Sequence, residues 1–483
     1  MTITAPATAV ARDGLVALAG AGTAAISGLV LNVIVGRGLG AAAAGSFFVV
    51  VAILTVAATI GKLGADTGLV WSMSRLLARS READIRRTIL IAIGPVVLAG
   101  MSLGAVLFVA APHLGPAVNP HLLRIGAVFL VAAGPVFALA AALRGLRGIG
   151  SYTVVQNIVL PGLRVPLVWF AAAAGLGLAG AVTMWNLPIV AGLLLAIPLL
   201  IRKLRRLPRT GGTRARELVR EFWGYSLPRG ASAALEVTLT WADVLIVAAL
   251  TSPAQAGIYA TASRFVTTGT MAEGALRVAI APRISRLLAT GDRAGTAELC
   301  GVSTQWTVLL SWPLYLGLAV SSPIVLGIFG REFTQGAVAL SILSVAMLAV
   351  MAAGNNQTVL LMSGRTGWQL GNKAAALALN LALNAVLTPG LGITGAAMAW
   401  AGSVLLDAGL ALAEVRYGLR IAVPLGRVLP AMLIAVVSVL PTAVVVLGRS
   451  GVSISAFCAT VLVDAALLLL MVYPRWKRSR RGR

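Results

Sequence analysis

Ionisable residues stand where few are expected between Glu221 and Arg286. Arg229, Glu236 and Asp243 interrupt a first apolar run, and Arg264, Glu273 and Arg277 interrupt a second. The first three recur every seventh residue, so a helix sets them in one stripe along one face. Charge inside hydrocarbon is costly unless it faces protein or water, which makes such residues functional candidates. A guanidinium in that position can hold phosphate oxygens through paired, charge-assisted hydrogen bonds. A carboxylate beside it can hold the same guanidinium when no phosphate is present.

The turn Thr251-Ser252-Pro253 joins the two runs, a helix over 222–250 and a second over 255–282. Counted from that turn at 1.5 Å per residue, Arg264 lies in depth between Asp243 and Glu236, within about 6 Å of either level. Two readings follow for Arg264: a substrate contact, or a standing ion pair with one of those acids. Arg229 lies nearer the other end of its run. Lys62 and Arg164 are further cationic candidates, although both can snorkel toward an interface. Asp243, Glu236 and Asp407 are candidates for gating or ion coupling. Asp407, Glu414 and Asp464 can equally be helix-packing groups, and Glu273 with Arg277, four apart, reads as a structural pair.

These residues must be positioned by membrane helices. Of all residues, 59% are hydrophobic and 11% charged, with a mean hydropathy of +0.93. Soluble domains are about one quarter charged. Apolar runs of about 20 residues, each enough to cross ~30 Å of hydrocarbon, recur from end to end. The expectation is an all-α polytopic membrane protein of about 14 spans, beginning near Gly14, Ala43, Thr88, His121, Tyr152, Ala179, Phe222, Gln255, Val302, Gly336, Ala374, Gly392, Arg427 and Val452.

The net charge of +24 is distributed by membrane side and does not form a nucleic-acid patch. Basic residues fill the loops after even-numbered spans: Arg75 to Arg87, Arg144 and Arg147, Arg202 to Arg220, Arg283 to Arg293, Arg365 and Lys373, Arg416 and Arg420, and the tail from Arg475. The alternate loops hold Arg37, Arg331 and Arg449. Both termini are therefore expected in the cytoplasm, and Met1 to Ala11 has neither the basic start nor the cleavage site of a signal peptide.

The expected organisation is an N-terminal lobe over 1–201, a basic linker over 202–221 containing Pro208 and Gly211-Gly212, a C-terminal lobe over 222–420, two added spans over 421–473 and a basic tail over 474–483. An internal repeat supports two halves. Ala44-Gly45-Ser46-Phe47 matches Ala256-Gly257-Ile258-Tyr259, and the glycine-rich stretch 175–181 matches 390–396, with Trp185 and Trp400 following at equal distance. Matching loops fall on the same side, so the repeat is parallel, an arrangement common in transporters.

Enzymatic chemistry has no home in this chain. It has no Ser/His/Asp arrangement, no phosphate-cradling loop and no large hydrophilic domain. Cys300 and Cys458 give no metal spacing, and His113 and His121 flank one loop without a third ligand. Neither a cofactor nor a metal is expected.

The second half resembles the Wzx-like polysaccharide-transport flippases, relatives of the lipid II flippases. The resemblance rests on 257–264 (Gly-Ile-Tyr-Ala-Thr-Ala-Ser-Arg), 282–287 (Pro-Arg-Ile-Ser-Arg-Leu), 329–333 (Phe-Gly-Arg-Glu-Phe) and 380–384 (Asn-Leu-Ala-Leu-Asn), leading to Pro389. It implies two lobes around a central cationic cavity lined by spans one, two, seven and eight, with Arg264 matching a cavity arginine of lipid II flippases. Those flippases also carry arginines within span one, whereas Gly14 to Gly36 has none. The function implied is translocation of a polyprenyl-pyrophosphate-linked oligosaccharide across a bacterial cytoplasmic membrane by alternating access. Its partners would be that lipid-linked oligosaccharide, membrane lipids and polysaccharide-synthesis membrane proteins, and no nucleic acid. A multidrug or toxin antiporter of the same superfamily and a lipid II flippase are the alternatives. A scaffold role would leave the buried charges unexplained.

Overall fold

The computed structural model describes residues 7–146, 149–205, 207, 214–421, 425–448 and 459–471. The linker's Pro208 and Gly211-Gly212, Cys458 and the basic tail over 474–483 lie outside them. Among the described residues the regular elements are helices, with no strand. In chain order they are α1 (Ala7–Gly61), α2 (Ala65–Ala78), α3 (Ile85–Ala110), α4 (Pro120–Val128), α5 (Leu130–Gly145), α6 (Ile149–Thr153), α7 (Leu160–Ala173) and α8 (Gly177–Leu204). There follow α9 (Ala215–Leu250), α10 (Pro253–Ala289), α11 (Arg293–Gly327), α12 (Ala337–Ala353), α13 (Asn356–Met362), α14 (Thr366–Ala413), α15 (Leu425–Ser438) and α16 (Leu440–Gly448), then α17 (Ala459–Met471).

Nine helical stretches among these are long and apolar enough to cross a membrane, or ten when α4 and α5, bent by 42° at Phe129, count as one. Two of the nine are too long for one crossing. Gly22–Ala78 has 57 residues and Gly367–Gly418 has 52, against about 20 for one span. Each breaks at a glycine whose backbone other residues rarely adopt: Gly40 at φ 77° and Gly392 at φ 57°. Both sit where the sequence pattern separates consecutive spans.

The chain forms two compact units, Met1–Gly257 and Ile258–Arg483. In the first, Leu69, Met73, Ile85, Leu143 and Phe222 pack a core shared by α2, α3, α5 and α9. Helix α9 starts seven residues before the expected apolar run, because 215–221 continues the helix with Glu217 in its first turn. In the second, Ile284, Val359, Leu360 and Val415 form one cluster. Val308, Leu309, Val428 and Ala431 form another, flanked by Trp306 and Trp312.

The turn between α9 and α10 follows its sequence. The Ser252 hydroxyl accepts from the Gln255 N–H at 3.2 Å, and Pro253 occupies the first helical position, where its missing N–H costs nothing. One expectation needs correcting. Lys373, counted as a loop cation, lies inside α14, which starts at Thr366 rather than near Ala374. It sits there because Asp407 neutralises it from the other half of the same broken helix, at 2.7 Å.

Candidate substrate site

Helix α9 and the first turn of α10 are held against α1 and the turn before α2 by glycines that leave no room for a side chain. A Cβ on Gly257 would lie 2.7 Å from the Gly45 nitrogen, and one on Gly45 would lie 2.9 Å from the Gly257 nitrogen. These are the matched glycines of the internal repeat. At the other end a Cβ on Gly230 would lie 2.7 Å from the Gly64 nitrogen, where Gly64 takes φ 73°. Between the crossings α1 and α9 run antiparallel.

Two candidate cations flank this second crossing. Lys62 is two residues from Gly64, and Arg229 is next to Gly230. Lys62 is half-buried and pairs with Asp66 at 2.6 Å, one helical turn on, with its ammonium 5.6 Å from the Phe137 ring. Arg229 is exposed and has no acidic partner within 4 Å among the described residues. Glu236, two turns along α9, is also exposed and without a basic partner on the same terms. Asp243 completes the stripe but is 2% exposed and engaged by its neighbours. The stripe thus has two open members and one closed.

The remaining candidates divide by environment. Arg164 on α7 lies over the Trp185 ring, 4.0 Å from its centroid, and donates Nε–H to the Trp185 carbonyl at 3.1 Å. It is planted on α8 by two contacts. Arg264 on α10 is half-buried and engaged. Asp407 on α14 takes Lys373 on one oxygen at 2.7 Å and the Gln357 amide on the other at 3.0 Å. Glu414, close by in sequence, accepts from the Asn372 amide at 2.7 Å.

A basic-side network ties α2 to the start of α9. Glu221 sits 3.3 Å from Arg75 and 3.8 Å from Arg81, and Arg81 also reaches Asp84 at 3.1 Å. Trp71 stacks on Tyr225 at 4.5 Å, with Arg75 over the same indole. Sequence reasoning treated these arginines as topology anchors and passed over Glu221. It also missed the pairing of Lys373 with Asp407 and the buried ladder Asn380, Asn384 and Thr388 on α14. Spacing of four within an apolar run was the available signal for the ladder.

The profile of the family described as "Polysaccharide biosynthesis protein" matches residues 10–288, more than half of the chain. A curated relative, the "Probable low-salt glycan biosynthesis flippase Agl15" of Haloferax volcanii, is 29% identical over 170 residues. That match covers 34% of this chain and 34% of the relative, so only about a third of either is aligned. Among solved structures, the lipid II flippase MurJ in an inward closed conformation matches with a TM-score of 0.75 at 12% identity, over 96% of this chain and 99% of that one. An inward-facing multidrug resistance MATE family transporter matches with a TM-score of 0.64 at 16% identity, over 84% and 98%. A MOP superfamily transporter from Pyrococcus furiosus, described as having a binding pocket of reverse polarity, matches at 0.58 and 16%, over 86% and 95%. These structural likenesses are of fold; the profile match carries the assignment, and the chain belongs to the polysaccharide biosynthesis protein family.

Proposed function

We propose that this membrane protein is a flippase that carries a polyprenyl-pyrophosphate-linked oligosaccharide from the inner to the outer leaflet of the cytoplasmic membrane by alternating access. The observation that carries the reading is the open stripe on α9. Among the described residues Arg229 and Glu236 are exposed and without an ion-pair partner, past the charged first turns of α9. Glu236 lies about 32 Å from the start and about 21 Å from the end of that 36-residue helix. At such depth an unpaired charge must face water, so this side of α9 lines an aqueous path.

The chemistry suits the cargo. A pyrophosphate crossing hydrocarbon needs cations that release it again. Arg229, at the crossing that Lys62 also flanks, offers that on the first unit, and Arg264 offers a guanidinium on the second. Arg164 is held on Trp185 and would act at most as a fixed positive charge. A membrane potential negative inside favours outward movement of the anionic headgroup by ~2.3 kcal/mol per charge per 100 mV. Relatives named as a glycan flippase and a lipid II flippase support the same class of cargo. The remaining parts of the proposal are fourteen spans, a division of lobes at the 202–221 linker, both termini in the cytoplasm and synthesis enzymes as neighbours.

The test is transport by purified protein in vesicles, with three cargoes offered side by side: a labelled lipid-linked oligosaccharide, lipid II and a cationic dye. Flipping of the first alone is expected. Uptake of the dye with neither lipid moved would replace the reading with an antiporter. Reporter fusions at Gly115 and Ser252 should read external, and a cytoplasmic signal at Ser252 would overturn the orientation of α9 and α10.

A further inference from the structure

The second unit contains a break inside an apolar helix pair that no transport argument requires. Helix α12 ends at Ala353 and α13 begins at Asn356. Between them Gly354 adopts φ 85°, and its Cα faces Thr304 on α11 so closely that an added Cβ would collide with the Thr304 hydroxyl. Asn355 follows, with its amide nitrogen 3.4 Å from the Ser303 hydroxyl. The break therefore lies directly against residues 303–304 of α11.

Several oxygens around this break are buried and meet no hydrogen-bond partner among the described residues: Oδ1 of Asn355, Oγ1 of Thr304, Oγ1 of Thr307 and Oγ1 of Thr358. Their residues are 4%, 0%, 1% and 2% exposed. Other hydroxyls on this helix are bonded, although Ser321, farther along it, is likewise buried without a partner. Ser303 donates to the Cys300 carbonyl at 2.9 Å, Ser311 to Thr307 at 2.7 Å, and Thr296 to Asp292 at 2.7 Å. An unmade bond at a buried polar atom is costly, and four around one break call for an occupant.

We infer that the α12–α13 break and the facing turn of α11 form a binding site for a monovalent alkali cation, with Thr304 Oγ1 and Asn355 Oδ1 as its principal ligands. The donor set selects that class. All four oxygens are neutral, whereas calcium and magnesium sites are built around carboxylates and transition-metal sites around nitrogen or sulfur. A cation takes hydroxyl lone pairs and leaves the hydroxyl protons for helix carbonyls. Interrupted helices are where membrane proteins expose oxygens to such ions. A bound ion would clamp the break to α11. The inference does not rest on the flippase reading, because it concerns binding in the absence of any cargo.

The experiment is thermal unfolding of purified full-length protein in detergent. Sodium, potassium or lithium chloride is titrated against choline chloride at constant ionic strength. Expected is a saturable rise in midpoint with at least one alkali ion over choline. Thr304→Val and Asn355→Leu should each weaken it by no less than the roughly 10–100-fold that outer-shell changes cost metal sites. Ser311→Ala, on the same helix but with a satisfied hydroxyl, should keep the full response. Equal midpoints in alkali and choline salts would overturn the site and leave those oxygens to buried water. So would a response that survives in the Thr304→Val, Asn355→Leu double variant. Should the variants fail to accumulate, binding of radioactive sodium to the unaltered protein decides. Displacement by unlabelled alkali ion but not by choline supports the site, and no such binding overturns it.

Discussion

The two units use polar groups in opposite places. In the first, ionic contacts gather at helix ends: Lys62 with Asp66, Arg75 and Arg81 with Glu221, Arg81 with Asp84. Its helices are joined by glycines that bring backbones together at Gly45, Gly64, Gly230 and Gly257. In the second, polar groups lie within the helices: Lys373 with Asp407, Asn372 with Glu414, and the asparagine ladder on α14. Lipid gives helices no hydrophobic reason to associate, so contact must come from close approach or from hydrogen bonds. One unit uses mainly the first means and the other mainly the second. The lesson is that their weak points differ in kind: shape in one, charge balance in the other.

The largest effect should therefore come from unbalancing charge in the second unit. Asp407→Asn or Lys373→Met alone should each destabilise by about 3–5 kcal/mol, because each leaves an uncompensated charge largely buried. The Lys373→Met, Asp407→Leu double variant should unfold closer to the unaltered protein. Chemical denaturation of all three in detergent reads this directly, and additive losses would show that the groups do not act as a pair.

A smaller effect belongs to shape in the first unit. Gly257→Ala should cost about 1–3 kcal/mol through overpacking against Gly45. Gly94→Ala, with nothing within 4 Å of the added methyl, should be neutral or stabilising by up to about 1 kcal/mol. Equal responses at the two positions would remove the close crossing as a source of stability. The smallest effect is expected at the basic-side network. Glu221 is partly exposed, so Glu221→Gln should shift the midpoint by no more than about 1 kcal/mol, less at high salt.

Much of the helix order was legible in the sequence. The breaks at Gly40 and Gly392 fall where apolar runs change over, and Ser252-Pro253 marks the start of α10. The stripe of Arg229, Glu236 and Asp243 was legible as spacing, but not which member is closed off. Seven-residue spacing places side chains on a face; only the packing of α9 against its neighbours distinguishes exposed Glu236 from buried Asp243. Lys373 was misplaced because a lone lysine near a helix end looks like a loop anchor when its partner stands 34 residues away. The orphaned oxygens at Thr304 and Asn355 were out of reach for a related reason. Sequence shows that a hydroxyl is present, while only the fold shows whether anything meets it.

The central claim, that a guanidinium carries pyrophosphate across the bilayer, is tested most directly at Arg264. The measurement is the rate at which a labelled polyprenyl-pyrophosphate-linked oligosaccharide changes leaflets in vesicles containing equal amounts of unaltered, Arg264→Ala or Arg264→Lys protein. The account predicts no flipping above background for alanine and partial recovery for lysine, whose point charge cannot reproduce the two-pronged contact. Full transport by the alanine variant would contradict it.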